Sequence, residues 1–229
     1  IWRLGILVAF LLSSGAITAA QDCSRPATLE NPWQLPSRDL GALAKDVGEP
    51  KLVSQEVRTP PEGREGELEV SAQMHALFRP TLDSYEEAIR SIEEQAAYLP
   101  RLEESELLCS ENEEIGYARV RQKLEFSFLF FRRSYEYVLH YLIDSADAGL
   151  TVWWRLQEPL DEQIVDTDGS WHFERVTVDG QVYTYMVYST HTLFAEEKLG
   201  LRAALERFGE RDLQSAMVAM TEEAHRRER

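Results

Sequence analysis

The sequence predicts an α+β domain in which a curved antiparallel sheet wraps around a long C-terminal helix. Three observations lead to this fold class: successive segments alternate apolar and polar residues, short turns join them, and the period changes to a helical one after Thr192. Short turns favour antiparallel neighbours, because parallel strands require long crossover connections. A sheet with one apolar face must bury that face, and the C-terminal helix is available to cover it.

Alternation of side chains marks the strands. From residue 118 to 128 the even-numbered positions are mostly apolar, whereas residues 119, 121, 123 and 125 are charged. This is typical of a strand with one dry and one wet face. Asp179-Gly180 predicts a tight hairpin turn, because glycine accepts positive φ. Strands are expected at 51–57, 66–80, 99–112, 118–130, 135–143, 150–159, 169–178 and 181–191.

Helices are expected in four places. Between Leu82 and Leu99 apolar residues recur at spacings of three and four, which predicts one helix that Pro100 must end. Thr81 or Asp83 can cap its start. Further helices are expected near residues 39–46, in a short segment ending at Gly209, and in a last segment capped by Asp212.

Composition and charge narrow the class of partner. The 229 residues are 44% hydrophobic and 28% charged, in the range of ordinary globular domains. The formal net charge of −16 disfavours nucleic acid, because binding it requires a basic surface that displaces counterions. An anionic membrane surface is disfavoured for the same reason.

The N-terminal segment predicts export. Residues 1–20 carry one positive charge, an apolar stretch and small residues at the end, which together indicate a secretory signal peptide cleaved after Ala20. The apolar run from Leu4 to Leu12 is too short to span a bilayer, so no stable membrane span is expected after cleavage. The expected location is the periplasm or the cell exterior. A leader at 21–49 and one domain at 50–229 complete the predicted organisation.

Two cysteines, Cys23 and Cys109, would then meet an oxidising compartment, where disulfides form. Two interpretations remain open at this point: the cysteines form a disulfide, or they are unrelated thiols.

Signatures of common catalytic sites are missing from the sequence. The histidines are far apart and none belongs to an HExxH motif; they are His75, His140, His172, His191 and His225. The chain has no GxSxG nucleophile motif, glycine-rich phosphate loop or dinucleotide fingerprint. We therefore expect neither a metal nor a cofactor.

Several stretches carry a resemblance to a known superfamily. They are the passage LDSYEEAIRSIEEQAAYLPRLEESELL, the strand pair FSFLFFRRSYEYVLHYLID and the closing LGLRAALERFGERDLQSAMVAM. In this order they resemble the START-like superfamily, which has the helix-grip or Bet v 1-like fold, and in particular its bacterial START and polyketide-cyclase-like domains. The resemblance covers roughly residues 50–227. Tyr98-Leu99-Pro100 matches an aromatic-hydrophobic-Pro motif, and residues 132–135 match an RDF motif in which Ser134 replaces the acid.

The resemblance implies a cavity between the sheet and the C-terminal helix that binds a lipid or another hydrophobic small molecule. Ligand cavities are largely apolar with a few polar groups, so aromatic and methionine side chains are the candidates to line it. The candidate ligand-binding residues are Phe126, Phe128, Tyr137, Tyr141, Trp154, Trp171, Phe173, Met186, Met217 and Met220. For each of them, plain core packing is the competing interpretation.

Two other functions compete with ligand binding. A cyclase, dehydratase or hydrolase would use the same cavity for chemistry, and a protein-interaction module would have its centre filled by side chains. An open apolar cavity favours binding, whereas histidine converging with a carboxylate or arginine favours catalysis. A filled centre with an exposed apolar patch favours interaction.

Overall fold

One antiparallel sheet organises the part of the chain that the computed structural model describes. The described residues are 23–60, 66–111, 116–128, 131–146, 149–198 and 200–229, and the side chains of residues 127, 128, 131 and 208 are excluded. The predicted signal peptide lies outside these residues.

The elements follow the predicted order. The helices are α1 (Leu40–Leu43), α2 (Leu82–Arg90), a 3₁₀ helix (Ile92–Ala97) and α3 (Leu201–Arg227). The strands are β1 (Lys51–Arg58), β2 (Leu68–Phe78), β3 (Leu102–Ser110), β4 (Tyr117–Phe128), β5 (Phe131–Ala146), β6 (Gly149–Pro159), β7 (Ile164–Val178) and β8 (Gln181–Phe194).

The sheet is an open meander of eight strands in the order β1-β2-β8-β7-β6-β5-β4-β3. After β2 the chain leaves the sheet through α2 and the 3₁₀ helix, enters at the far edge as β3, and returns strand by strand until β8 pairs with β2. Every pairing is antiparallel, and the β7–β8 hairpin turns at Asp179-Gly180, where both residues have positive φ. The predicted fold class is confirmed.

Helix α3 covers one face of the sheet, which we call the inner face. Leu213, Met217 and Met220 of α3 pack with strand residues such as Met74 and Phe173 in the largest buried apolar cluster. Helix α2 joins the same cluster, and the hydroxyl of its buried Tyr85 donates to Thr221 of α3 at 3.0 Å. The apolar side of the alternating strands is therefore buried as the sequence pattern requires.

The N-terminal leader covers part of the opposite, outer face. Its Leu43 is buried against Leu77 and Tyr185, and Leu29 packs with Trp153, which is 1% exposed. A disulfide between Cys23 and Cys109 joins the start of the described leader to edge strand β3. The leader can pack there because several strands carry large apolar residues on the outer face as well as on the inner face.

The helices differ from the prediction at two places. The expected helix over 82–99 breaks at Ser91, whose hydroxyl donates to the carbonyl of Glu87 and competes with the helical hydrogen bonds. Thr81, one of the two candidate caps, caps α2 by accepting from the Ser84 amide.

The two helices expected after Thr192 are one helix of 27 residues, so the predicted end at Gly209 is wrong. At this position α3 faces Gln55, whose amide nitrogen would lie 3.0 Å from a Cβ, so glycine leaves room for the contact. In the described ranges, no helix combines the length and apolar character needed to cross a membrane.

Candidate functional site

A cavity of about 210 Å³ lies between the inner face of the sheet and α3. All eight strands contribute to its wall, and α3 and the segment around Pro100 complete it. Its apolar wall residues are Val70, Ala72, Leu99, Pro100, Leu102, Leu124, Phe126, Trp154, Trp171, Phe194, Leu205, Leu213 and Ala216. Polar wall residues include Gln55, Gln95, Arg101, Gln122, Tyr137, Tyr141, Thr167, Tyr188, Thr190, Thr192 and Asp212.

Aromatic rings form one wall of this cavity. Trp171 of β7 faces Tyr188 of β8 in the strand register, and their rings stack with centroids 3.9 Å apart and planes 10° apart. Trp154 of β6 continues the wall at 6.2 Å from the Tyr188 ring. Because the three rings come from neighbouring strands, they present a broad, rigid apolar surface to the cavity.

Two tyrosine hydroxyls at the cavity have no hydrogen-bond partner in the described part of the chain. They belong to Tyr137 of β5 and Tyr188 of β8. Burial raises the pKa of Tyr188 to about 12, and burial followed by the nearby Tyr188 raises the pKa of Tyr137. Both side chains therefore stay neutral at physiological pH and can donate a hydrogen bond.

A third hydroxyl, that of Tyr141, is held by Gln95. The Gln95 amide donates to it at 3.3 Å and to the carbonyl of Ile89 at 3.0 Å. Burial raises the pKa of Tyr141 to about 12, with the Gln95 hydrogen bond acting in the opposite direction. The break at Ser91 makes this arrangement possible, because the chain after it turns Gln95 back under the last turn of α2.

Threonines line the cavity toward the end of β8. The Thr167 hydroxyl donates to the carbonyl of His191 at 2.9 Å and lies 3.1 Å from the Thr192 hydroxyl. Because these contacts lie within the sheet, they satisfy part of the hydrogen-bonding capacity of the two hydroxyls.

Charged residues occur at the rim, where they are paired. Arg101 donates to Asp212 of α3 at 3.1 Å, and its guanidinium lies 6.0 Å from the centroid of the Phe126 ring. Arg101 adopts φ of 68°, a left-handed conformation that is uncommon outside glycine. Across the rim, the Gln55 amide donates to the carbonyl of Leu205 at 3.0 Å. These two contacts connect α3 to β1 and to the segment that leads into β3.

The structure places half of the predicted ligand-binding residues in the cavity wall: Phe126, Tyr137, Tyr141, Trp154 and Trp171. Phe173, Met186, Met217 and Met220 lie instead in the packed cluster beyond the wall, each fully buried. Tyr85 stacks on Phe173 with centroids 4.8 Å apart, which fills the space that the cavity would otherwise occupy. The side chain of Phe128 lies outside the described residues.

Several wall residues were absent from the sequence-based set. Tyr188, Thr190 and Thr192 share the face of β8 that Met186 occupies, so continuing the two-residue period of that strand would have found them. Gln95 and the pair of Arg101 with Asp212 carry no such signal, because the break before the 3₁₀ helix and the path of α3 bring them to the cavity.

The histidines lie away from the cavity. None of the five is among its described wall residues, and each has a polar neighbour elsewhere: Tyr185 for His75, Tyr117 for His140, Thr151 for His172, Asp168 for His191 and Glu228 for His225. Among the residues described, no group of His, Cys, Asp and Glu is arranged to hold a metal ion.

Solved structures share this architecture. A human StAR-related lipid transfer protein 5 structure is 11% identical, with a TM-score of 0.58 over 77% of this chain and 89% of that one. A STAR-related lipid transfer protein from Xanthomonas axonopodis is 13% identical, with a TM-score of 0.53 over 75% and 98%. The ZhuI aromatase/cyclase from Streptomyces sp. R1128 is 21% identical, with a TM-score of 0.51 over 71% and 96%.

Neither the models of known protein families nor the sequences of curated proteins match this chain. The structural likeness shows that the chain has the START-like helix-grip fold, as the sequence resemblance implied.

Proposed function

We propose that this START-like domain is exported and binds a lipid or another hydrophobic small molecule, without chemistry, in the cavity between the sheet and α3. One observation carries the proposal: a largely apolar cavity of about 210 Å³ interrupts a core that is otherwise packed. Protein interiors contain few voids larger than a water molecule, so a cavity of this size calls for a functional explanation.

The make-up of the wall favours binding over the two competing functions. The open centre argues against a module that uses a filled core for interaction. Among the described wall residues of the cavity, the charged ones are Arg101 and Asp212, and their pair links the rim to α3. Of the three similar structures, two are named lipid transfer proteins and one an aromatase/cyclase. The fold therefore does not distinguish binding from catalysis, and the residues of the site must do so.

Burial of apolar surface provides the affinity. Each methylene moved from water into the cavity contributes about 0.8 kcal/mol. Because micromolar binding requires about 8 kcal/mol net, a ligand of modest size suffices if its ordering costs are small. At about 210 Å³ the cavity is smaller than the ~300–1,000 Å³ typical of small-molecule sites, which favours a compact ligand.

The Cys23–Cys109 disulfide supports the exported location, because such bonds persist in oxidising compartments. The sequence of residues 1–20 supports it independently.

Native mass spectrometry of the purified protein, followed by lipid extraction, tests the proposal. We expect a co-purified hydrophobic molecule, or a rise in melting temperature of about 5–10 °C when the emptied protein is given a matching ligand at a hundred times its Kd. Repeated recovery of empty protein without any thermal shift across lipids and aromatic compounds would contradict the proposal.

A pair of variants on α3 locates the binding. Ala216 lines the cavity, whereas Val218 is 37% exposed on another side of the helix. Ala216→Phe should fill the cavity and abolish ligand retention, and Val218→Phe should retain the ligand. Equal retention by both variants would place the ligand elsewhere.

A further inference from the structure

The hydroxyls of Tyr137 and Tyr188 border open space. In the described part of the chain, neither hydroxyl is among the fully buried side-chain polar atoms that lack a hydrogen bond. Neither hydroxyl has a hydrogen-bond partner among the described residues. The open space beside both residues is the cavity, and Tyr137 is only 4% exposed overall.

A buried phenol oxygen needs a hydrogen-bond partner, and phenylalanine would fill the same wall without this requirement. Water can satisfy such groups while the cavity is empty. A ligand that displaces this water without replacing its hydrogen bonds loses affinity, whereas one that replaces them keeps it. The two hydroxyls therefore discriminate between ligands of equal apolar surface.

The partner of these hydroxyls must be uncharged. The uncharged polar wall residues are amides and hydroxyls, namely Gln55, Gln95, Gln122, Tyr137, Tyr141, Thr167, Tyr188, Thr190 and Thr192. The wall residues with charged side chains are Arg101 and Asp212, which pair with each other at the rim. An anion beside the tyrosines would lose its hydration without meeting a cation, which is costly in an apolar site.

The aromatic wall beside the two hydroxyls indicates the shape of the rest of the ligand. Tyr188 itself belongs to the ring surface that includes Trp171 and Trp154, so a ligand that meets the hydroxyl also lies against the aromatic wall. Flat apolar groups make the largest contact with such a surface.

We infer that the ligand is a compact, flat, apolar molecule with a neutral oxygen acceptor, a carbonyl or a hydroxyl, that accepts hydrogen bonds from Tyr137 and Tyr188. This inference rests on the proposed binding function and narrows its ligand class. It excludes molecules whose buried end is a carboxylate or a phosphate, and it ranks plain hydrocarbons below ketones of the same size.

Three probes with one ring system test the inference by isothermal titration calorimetry at pH 8: naphthalene, 2-acetylnaphthalene and 2-naphthoate. The ketone should bind about tenfold more tightly than naphthalene, the gain of about one net hydrogen bond. Naphthoate, which is ionised at this pH, should bind at least tenfold more weakly than the ketone.

Tyrosine variants assign the preference to the two hydroxyls. The double variant Tyr137→Phe/Tyr188→Phe should bind ketone and hydrocarbon equally, with the affinity for naphthalene retained or improved. Tyr135→Phe is the matched control, because Tyr135 is buried on the same strand but is not a wall residue of the cavity. This control should keep the tenfold preference, and circular dichroism verifies that each variant is folded.

The possible outcomes separate the two proposals. Equal binding of ketone and naphthalene by the wild type, tighter binding of naphthoate, or an unchanged preference in the double variant would overturn the inference and leave the binding function standing. Failure of all three probes to bind, together with no co-purified molecule, would overturn both.

Discussion

The indole ring of Trp154 lies directly over Gly169. The two residues face each other across β6 and β7, and a Cβ on residue 169 would lie 2.1 Å from Cζ2 of the indole and 2.7 Å from the Ser189 carbonyl oxygen. Any other residue would have to displace the ring or the backbone of β8. Because Trp154 lines the cavity, this glycine determines the shape of the aromatic wall.

We expect Gly169→Ala to lower the free energy of unfolding by about 1–3 kcal/mol, because the added methyl overpacks the interior. It should also weaken ligand binding, since the easiest relief moves the indole into the cavity. Urea denaturation and the binding titration measure the two effects. Gly116→Ala is the control, because a Cβ there would meet no atom within 4 Å. Equal stability of both variants would show that Trp154 does not require the glycine.

His191 lies on the outer face between two carboxylates. Its Nδ1 is 2.9 Å from Oδ2 of Asp168, and its Nε2 is 3.3 Å from Oε1 of Glu69. Both carboxylate oxygens of Glu69 also accept from Arg58. The hydrogen bond with Asp168 raises the pKa of His191 against the opposing effect of burial, and Glu69 raises it further. Protonated His191 therefore stabilises the folded state.

The sign of the pH dependence follows from the raised pKa. The stabilisation is fully present below the unfolded-state pKa of about 6.5 and is lost as the pH rises through the higher folded-state value. His191→Gln should therefore be clearly less stable than the wild type at pH 5.5, and this difference should shrink by pH 9. Urea midpoints measured across this range check the expectation, and a difference that is constant or grows with pH would contradict it.

The Cys23–Cys109 disulfide holds the leader against the outer face and closes a loop with a sequence separation of 86. Closing a loop of this length typically stabilises a protein by about 2–4 kcal/mol. Replacing both cysteines by serine should reduce the unfolding free energy by about this amount and expose residues 24–47 to limited proteolysis. A reductant should reproduce the effect in the wild type and change nothing in the double variant. Equal protease resistance of variant and wild type would show that packing alone holds the leader.

The strands were the most predictable part of the fold. Alternation such as that of residues 118–128 identifies a strand and its buried face together, because successive side chains point to opposite sides. The end of a strand depends instead on its neighbours. β7 begins at Ile164, five residues before the predicted start, because Ile164 pairs with Phe194 of β8, which itself runs past the predicted end at residue 191.

The helices show where local signals failed. Ser91 interrupts the helical period between Leu82 and Leu99, although the apolar spacing continues through it. The signal at Gly209 failed in the opposite way. Glycine often ends a helix, but this one lies inside α3, where Gln55 approaches from the sheet.

The candidate site, too, could be predicted only in part from the sequence. Five aromatic residues of the cavity wall could be chosen from the sequence, because strand alternation places them on the apolar face. Alternation cannot tell a cavity wall from a packed core, and so Phe173 and Met217 were chosen equally although Tyr85 and α3 cover them.

The sequence by itself determined the antiparallel meander, the apolar inner face and the helix that must cover it, because these follow from periods of two and 3.6 residues along the chain. Only the tertiary structure decided how much of that face remains open, which hydroxyls border the opening and that Cys23 meets Cys109. Cavities and cross-links depend on distances between residues far apart in sequence, and those distances arise only when all the strands and α3 have packed together.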